Sequence, residues 1–243
     1  MIEVVEMTEL PKVLVAAPTY SGKHYIFPKW YENITHLSYK NYDWLVIDNS
    51  KRESYSVGLR RQGYKKIVHI KRGKHARQAL ANSAEYIRQY ALKYGYDYVM
   101  MIETDLLPPK DIIERLMAHD KKIVGAAYEI GLHGSKEAPR RMCIYDYGND
   151  SDKYERLIRL MSVKEGYEFI DGTLKACAGM GIGCTLMRRD LLEEYPFKYT
   201  DKHFLQSDVI LYLDLAQNHV PVYVDTGIIV PHFNQNWTVV EDR

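Results

Sequence analysis

The sequence predicts an α/β protein built on one mostly parallel sheet flanked by helices. Three observations lead there. Short apolar runs of strand length alternate with amphipathic stretches of helical spacing from about residue 12 to residue 128. Several of those runs are apolar throughout rather than alternating, as strands covered on both faces require. Polar or acidic residues end three of the runs, at the strand ends where parallel sheets gather their ligands.

In chain order, "KVLVAAPTY" (Lys12 to Tyr20) reads as a buried strand ended by Pro18. "IFPKWYENITHLSY" has helical spacing at Trp30, Ile34 and Leu37, with Pro28 in its first turn. "YDWLVIDNS" is a second buried strand, ending in Asp48, Asn49 and Ser50, and "YKKIVHIKRG" is a shorter third. "HARQALANSAEYIRQYALKYG" is a helix with Ala76, Leu80, Ala84, Ile87 and Ala91 on one face and Gly95 as its stop. "YDYVMMI" is the fourth strand, "PPKDIIERLMAHD" a helix opened by proline, and "KKIVGAAYE" another strand.

From about Gly131 to Lys175 the pattern weakens into loops and short strands over the same edge, with "SDKYERLIRLMS" expected as a short helix. "ACAGMGIGCTLMRRDLLEEYPF" reads as a Gly-rich loop, a strand through Leu186 and a short helix. "SDVILYLDLAQNHV" is a helix with Ser207 as its expected N-cap, and "PVYVDTGIIVPHF" a pair of short strands ending at His232. Trp30 and Trp44 are expected in the core, Trp237 in a tail or lid. With no repeat or linker, residues 1–243 are expected to form a single domain.

Bulk properties narrow the function. A net charge of +1 gives no global field for nucleic acid or an anionic membrane. The cysteines, Cys143, Cys177 and Cys184, are odd in number and lack a C-x-x-C pair, which argues against a disulfide framework or a zinc site. The N-terminus lacks a signal-peptide pattern, and no run of about 18 apolar residues is present. A cytoplasmic protein is expected, with peripheral association at a membrane left open.

The chemistry concentrates at "YDYVMMIETDLLPPKDI". Glu103 and Asp105 stand at i and i+2, so in extended backbone they share one face. Two such carboxylates repel unless a cation lies between them, and hard oxygen ligands suit Mg²⁺ or Mn²⁺. The alternative is that both acids cap the next helix. Gly179, Gly181 and Gly183 precede a strand rather than a helix, so they form neither a P-loop nor a dinucleotide fingerprint. Lys71, Arg72, Lys74 and Arg77, with His75, make the densest basic cluster, suited to a diphosphate or to a solvated helix start; Arg140 and Arg141 are equally open.

The acid-x-acid stretch after the fourth strand resembles the DxD region of GT-A fold glycosyltransferases, most closely the family 2 clan, with Glu103 in place of the first Asp. Other segments match in order over roughly residues 12 to 233. "VAAPTY", with Pro18 and Tyr20, resembles the strand end that cradles the nucleotide, and "VIDNS" the end where an Asp, here Asp48, meets the base. "KHARQALANSAEYI" is similar to the A-R-N helix motif, with Asn82 at the Asn position. "AGMGIGCTLMRRDLLEEYPF" resembles the acceptor loop, here Gly179, Met180 and Gly181. "SDVILYLDLAQ" resembles the E-D motif, with Ser207 for Glu and Asp208 at the catalytic Asp, and "IIVPHF" the strand whose His completes the metal shell.

The resemblance implies a single GT-A (Rossmann-like) domain with a smaller acceptor-side β region. Residues 12–128 would form the nucleotide-sugar half and 129–233 the acceptor half. It implies a metal-dependent transfer of sugar from a nucleotide-diphosphate sugar, UDP- or GDP-linked, to a hydroxyl of a glycan, lipid-linked or small-molecule acceptor. Asp208 would be the base of an inverting reaction. Asp105, Glu103 and His232 would hold Mn²⁺ or Mg²⁺, with Thr104 beside the donor. A retaining GT-A transferase, a nucleotidylyltransferase-like core ("APTYSGKHY" supplies part of its opening loop) and a non-catalytic nucleotide-sugar-binding module are the rivals.

Overall fold

The computed structural model describes residues 9–131, 140–147, 158–201 and 205–233. Its centre is an eight-stranded sheet in the order β3-β2-β1-β4-β11-β5-β12-β9. The strands are β1 (Val13–Thr19), β2 (Tyr42–Asp48), β3 (Ile67–His69), β4 (Tyr98–Ile102), β5 (Ile123–Ala127), β9 (Leu174–Cys177), β11 (Cys184–Arg188) and β12 (Val222–Ile229). Pairings from β3 through β4 are parallel, as is β5 with β12; β11 runs against both its neighbours and β9 against β12. The mostly parallel sheet is therefore as expected, and β1 to β5 and β12 all deliver their carboxyl ends to one edge.

Strand periodicity divides the core. Leu14 and Ala16 of β1 join one apolar cluster, while Val13, Val15 and Ala17 join the other. Helices α3 (Ala76–Lys93), α6 (Arg189–Glu194) and α7 (Ser207–Gln217) supply the first cluster through Ala84, Ile87, Leu191 and Leu211. Helices α1 (Phe27–Thr35), α2 (Ser54–Arg61) and α4 (Ile112–Met117) supply the second through Phe27, Trp30, Leu59 and Ile113. A residue buried on either side of the sheet removes apolar area from water at about 25 cal/mol per Å², which is why β1 tolerates no polar position before Thr19.

Above the carboxyl edge lies a small antiparallel sheet of β6 (Glu129–Gly131), β7 (Arg140–Tyr147) and β10 (Gly179–Met180), with β8 (Ile158–Ser162) on β7. Helix α5 (Val163–Phe169) follows β8 and starts on a capping box between Ser162 and Glu165.

Several local expectations are corrected. The described part of "SDKYERLIRLMS" is strand, because pairing with β7 overrides its helical pattern. "PVYVDTGII" is one strand with a register shift between Asp225 and Ile229 rather than two. The N-cap of α7 is Gln206, and Ser207 is its first helical residue. Pro108 and Pro109 lie before α4, which begins at Ile112. Leu80 is exposed, since α3 turns Ala79 and Ser83 inward instead. Trp44 is only half-buried, whereas Trp30 is fully buried and donates its indole N–H to the Ile102 carbonyl at 3.0 Å. Trp237 lies outside the described residues.

Candidate active site

The edge shared by β1, β2, β4 and β12 collects the charged groups. β4 ends at Ile102, and the next residues turn tightly: the Leu106 N–H donates to the Glu103 carbonyl at 2.9 Å. Backbone bonds pin the turn on both sides. Glu103 N–H donates to the Gly183 carbonyl at 2.8 Å, and Phe233 N–H donates to the Asp105 carbonyl at 2.8 Å. An isolated bridge between Leu106 and His232 brings the chain after β12 alongside.

Glu103, Asp105 and His232 thereby offer two carboxylates and an imidazole whose ligand atoms lie within 4.8 Å of one another. His232 Nδ1 sits 2.7 Å from the Glu129 carbonyl, which can only accept, so this nitrogen carries the proton. The other nitrogen, Nε2, lies 3.1 Å from Asp105 Oδ2; the protonated ring donates to both acceptors, and loss of the Nε2 proton leaves a lone pair there that could ligate a cation. Asp105 is fully buried, and its Oδ1 has no hydrogen-bond partner. A buried ionised oxygen without a partner is costly, so the donor set fits a hard divalent cation.

The electrostatics are split between the two acids. Burial pushes the Glu103 carboxyl above its ordinary range, and the Asp105 charge adds to that push. Burial acts on Asp105 as well, but the His232 bond and the Lys23 ammonium outweigh it and hold this carboxyl below its usual range. Lys23 is the residue that sequence reasoning missed. Its ammonium pairs with Asp105 Oδ2 across 82 positions of chain, from a short 3-10 turn (Ser21–Lys23) at the end of β1. The only signal was a lysine shortly after the first strand in "APTYSGKHY".

Asp208 stands in the first turn of α7. Burial raises its carboxyl to about 6, although the Val209 N–H, 2.8 Å from Oδ1, pulls the other way. Its charge reaches the cluster: it contributes to the upward push on Glu103, Tyr128 and Cys143. The Gly-rich loop lies between these groups. A Cβ on Gly181 would overlap the Tyr128 hydroxyl and crowd Cys143 Sγ, and one on Gly183 would fall 2.9 Å from Glu103 Cδ. Both glycines thus permit close packing inside the protein. Tyr128, also missed, accepts the Gly183 N–H at 3.2 Å and meets the His232 ring edge-on at 5.4 Å between centroids. Met180 is fully buried, and Gly179 packs beneath the Tyr212 ring.

On the other flank, Pro18 is buried in β1 opposite Ile47, and Thr19 Oγ1 lies 3.2 Å from Thr104 Oγ1. Tyr20 is half-buried, with the Arg72 guanidinium 6.0 Å from its ring centroid. Asp48 is fully buried, and its oxygens are engaged. Oδ1 accepts from Ser50 N–H at 2.9 Å and Ser50 Oγ at 2.5 Å; Oδ2 accepts from Ser56 N–H at 3.2 Å and lies 3.1 Å from His69 Nδ1. Asn82 is exposed, and it is Ser83 that receives the Asn49 amide at 3.0 Å and ties α3 to the end of β2. The three cysteines are free; Cys143 and Cys184 are buried and Cys177 is half-buried.

Among the described residues no helix is long and apolar enough to cross a membrane. No protein-family model matches the chain, and no curated protein matches it by sequence. A crystal structure of GalNAc-T7 with UDP, GalNAc and Mn2+ matches by shape, with a TM-score of 0.62 and 11% sequence identity over 92% of this chain. This chain spans 44% of that one's length. A structure of A197 from STIV aligns over 96% of this chain and 87% of its own, with 15% identity and a TM-score of 0.48. The chain has the GT-A fold.

Proposed function

We propose that the chain is a metal-dependent glycosyltransferase that moves a sugar from a nucleotide-diphosphate sugar to an acceptor hydroxyl with inversion. The observation that carries this reading is the unpartnered, buried Oδ1 of Asp105, set beside Glu103 and His232 at the ligand edge of the sheet. The UDP and Mn2+ in the similarly folded GalNAc-T7 structure support its metal and nucleotide part.

Asp105, Glu103 and His232 would hold Mn²⁺ or Mg²⁺. When bound, that ion supplies positive charge to the diphosphate leaving group. The residues of the chain do the rest. Residues 12–128 form the donor half, with Pro18, Tyr20 and Thr104 on the donor side, and Asp48, whose Oδ1 holds Ser50, stands at the strand end that would meet the base. Asn82, exposed on α3, would reach the donor from that helix. Residues 129–233 form the acceptor half, where Gly179, Met180 and Gly181 pack behind the acceptor side and hold its shape. Asp208 accepts the proton of the attacking hydroxyl, and its raised carboxyl is matched to that work near neutrality.

The test is thermal stability across UDP-, GDP-, dTDP- and CMP-sugars, with and without Mn²⁺, on the wild type and Asp105→Ala. A ligand at 100 times its dissociation constant adds about 2.7 kcal/mol. The expected result is a shift that needs one nucleotide, Mn²⁺ and Asp105 together, followed by release of nucleoside diphosphate and a product of inverted anomeric configuration. No shift with any pair sinks the reading; a shift without turnover leaves a binding module.

A further inference from the structure

The proposed function leaves the buried Lys23 ammonium without a task. It sits on the same Asp105 oxygen that faces His232, with side chains only 11% (Lys23) and 0% (Asp105) exposed. The turn that carries it is anchored. Lys23 N–H donates to the Tyr20 carbonyl at 2.9 Å, and Ser21 N–H donates to Ser50 Oγ at 2.8 Å, which in turn bonds to Asp48. The backbone is therefore fixed, and the mobile part is a four-carbon stem ending in a point charge.

We propose that Lys23 is a resident counter-ion that competes with the divalent cation for Asp105 and, once displaced, passes its charge to the donor's diphosphate. Cation and diphosphate then bind cooperatively. The inference rests on the metal–diphosphate reading of this site and deepens it. Two cations on one carboxylate repel, so an ion arriving alone on Oδ1 weakens the hold of Asp105 on the ammonium at Oδ2. A buried ammonium needs an anion beside it, and a phosphate oxygen drawn to the same ion supplies one. With the diphosphate present, each charge has a partner: the ion takes the carboxylates, the ammonium takes the phosphate. Linkage requires the gain to be reciprocal, the diphosphate tightening the ion by the factor by which the ion tightens the diphosphate.

The experiment is calorimetric titration of Mn²⁺ alone, and of Mn²⁺ in the presence of UDP or GDP, into the wild type, Lys23→Met and Lys23→Gln. Lys23→Gln keeps a hydrogen bond to Asp105 and serves where the methionine variant fails to fold. The wild type should bind Mn²⁺ alone weakly and at least about tenfold more tightly with nucleotide. In the neutral variants Mn²⁺ alone should bind about tenfold more tightly than in the wild type, nucleotide alone should bind more weakly, and the coupling should shrink by a similar factor. Mn²⁺ affinity unchanged by removing the ammonium, with the site otherwise intact, overturns the inference and leaves the proposed function standing. No Mn²⁺ binding by any of the three proteins, with or without nucleotide, overturns both.

Discussion

Two buried aspartates end neighbouring regions of the same sheet edge, and they are treated differently. Asp48 receives two donors on Oδ1 and has the Ser56 N–H and His69 around Oδ2. Asp105 has Lys23 and His232 on Oδ2 and nothing on Oδ1. Both carboxylates are equally out of water, so burial alone does not separate them. What separates them is satisfaction. A fully bonded buried acid organises its own loop, while a half-bonded one keeps capacity for something that arrives later.

The largest expected effect comes from breaking the second region. Asp105→Ala should abolish Mn²⁺-dependent donor stabilisation and bring turnover to background, a loss of about 10³-fold or more. Donor binding by calorimetry and release of nucleoside diphosphate check it. Asp208→Asn should lower kcat by about 10²-fold or more while leaving donor affinity within a fewfold. In the wild type, kcat should fall about tenfold per unit of pH below about 6, where the Asp208 carboxylate is lost, and level off above. The stability linkage has the opposite sense. A carboxyl raised from 3.8 to about 6 favours the folded state when protonated, and that contribution fades as pH rises through about 6. Asp208→Asn should therefore be more stable than the wild type above pH 6, by about 1–3 kcal/mol, with the difference gone below about pH 4; urea unfolding at a series of pH values measures it.

Asp48→Ala sharpens the comparison from the other side. It leaves the Ser50 and Ser56 N–H groups without their acceptor and should cost about 2–4 kcal/mol of stability, with the Mn²⁺ site retained in the folded protein. Denaturant midpoints and metal titration together report the two halves of that statement. The smallest effect is expected at Gly181→Ala, whose methyl would overlap the Tyr128 hydroxyl. A cost of about 1–3 kcal/mol in unfolding free energy is expected from the forced repacking.

How much of this was legible in sequence follows from range. β1 and β4 were visible because both faces of each strand are buried, and the acids after β4 because they stand two apart at a strand end, although a tight turn closed from Leu106 to Glu103, and not the expected extended backbone, brings them together. Helix α3 was visible from its spacing, although Leu80 turned outward where the smaller Ala79 and Ser83 fit the sheet. Partners set by long-range contact left no local trace: Lys23 on Asp105, Tyr128 under the glycine loop, and the donors that surround Asp48. β8 was misread for the same reason, since its strand state comes from β7. The capping box of Ser162 and Glu165 did leave a signal, S-x-x-E, just before a short helix.

Mn²⁺ binding followed by electron paramagnetic resonance, on the wild type, Asp105→Ala and Asp48→Ala, tests the central claim most directly. The account predicts one site in the wild type with UDP or GDP present, lost in Asp105→Ala and retained in folded Asp48→Ala. Binding that survives Asp105→Ala, or that is absent from the wild type, would contradict it and leave Glu103 and Asp105 as the acids of a tight turn.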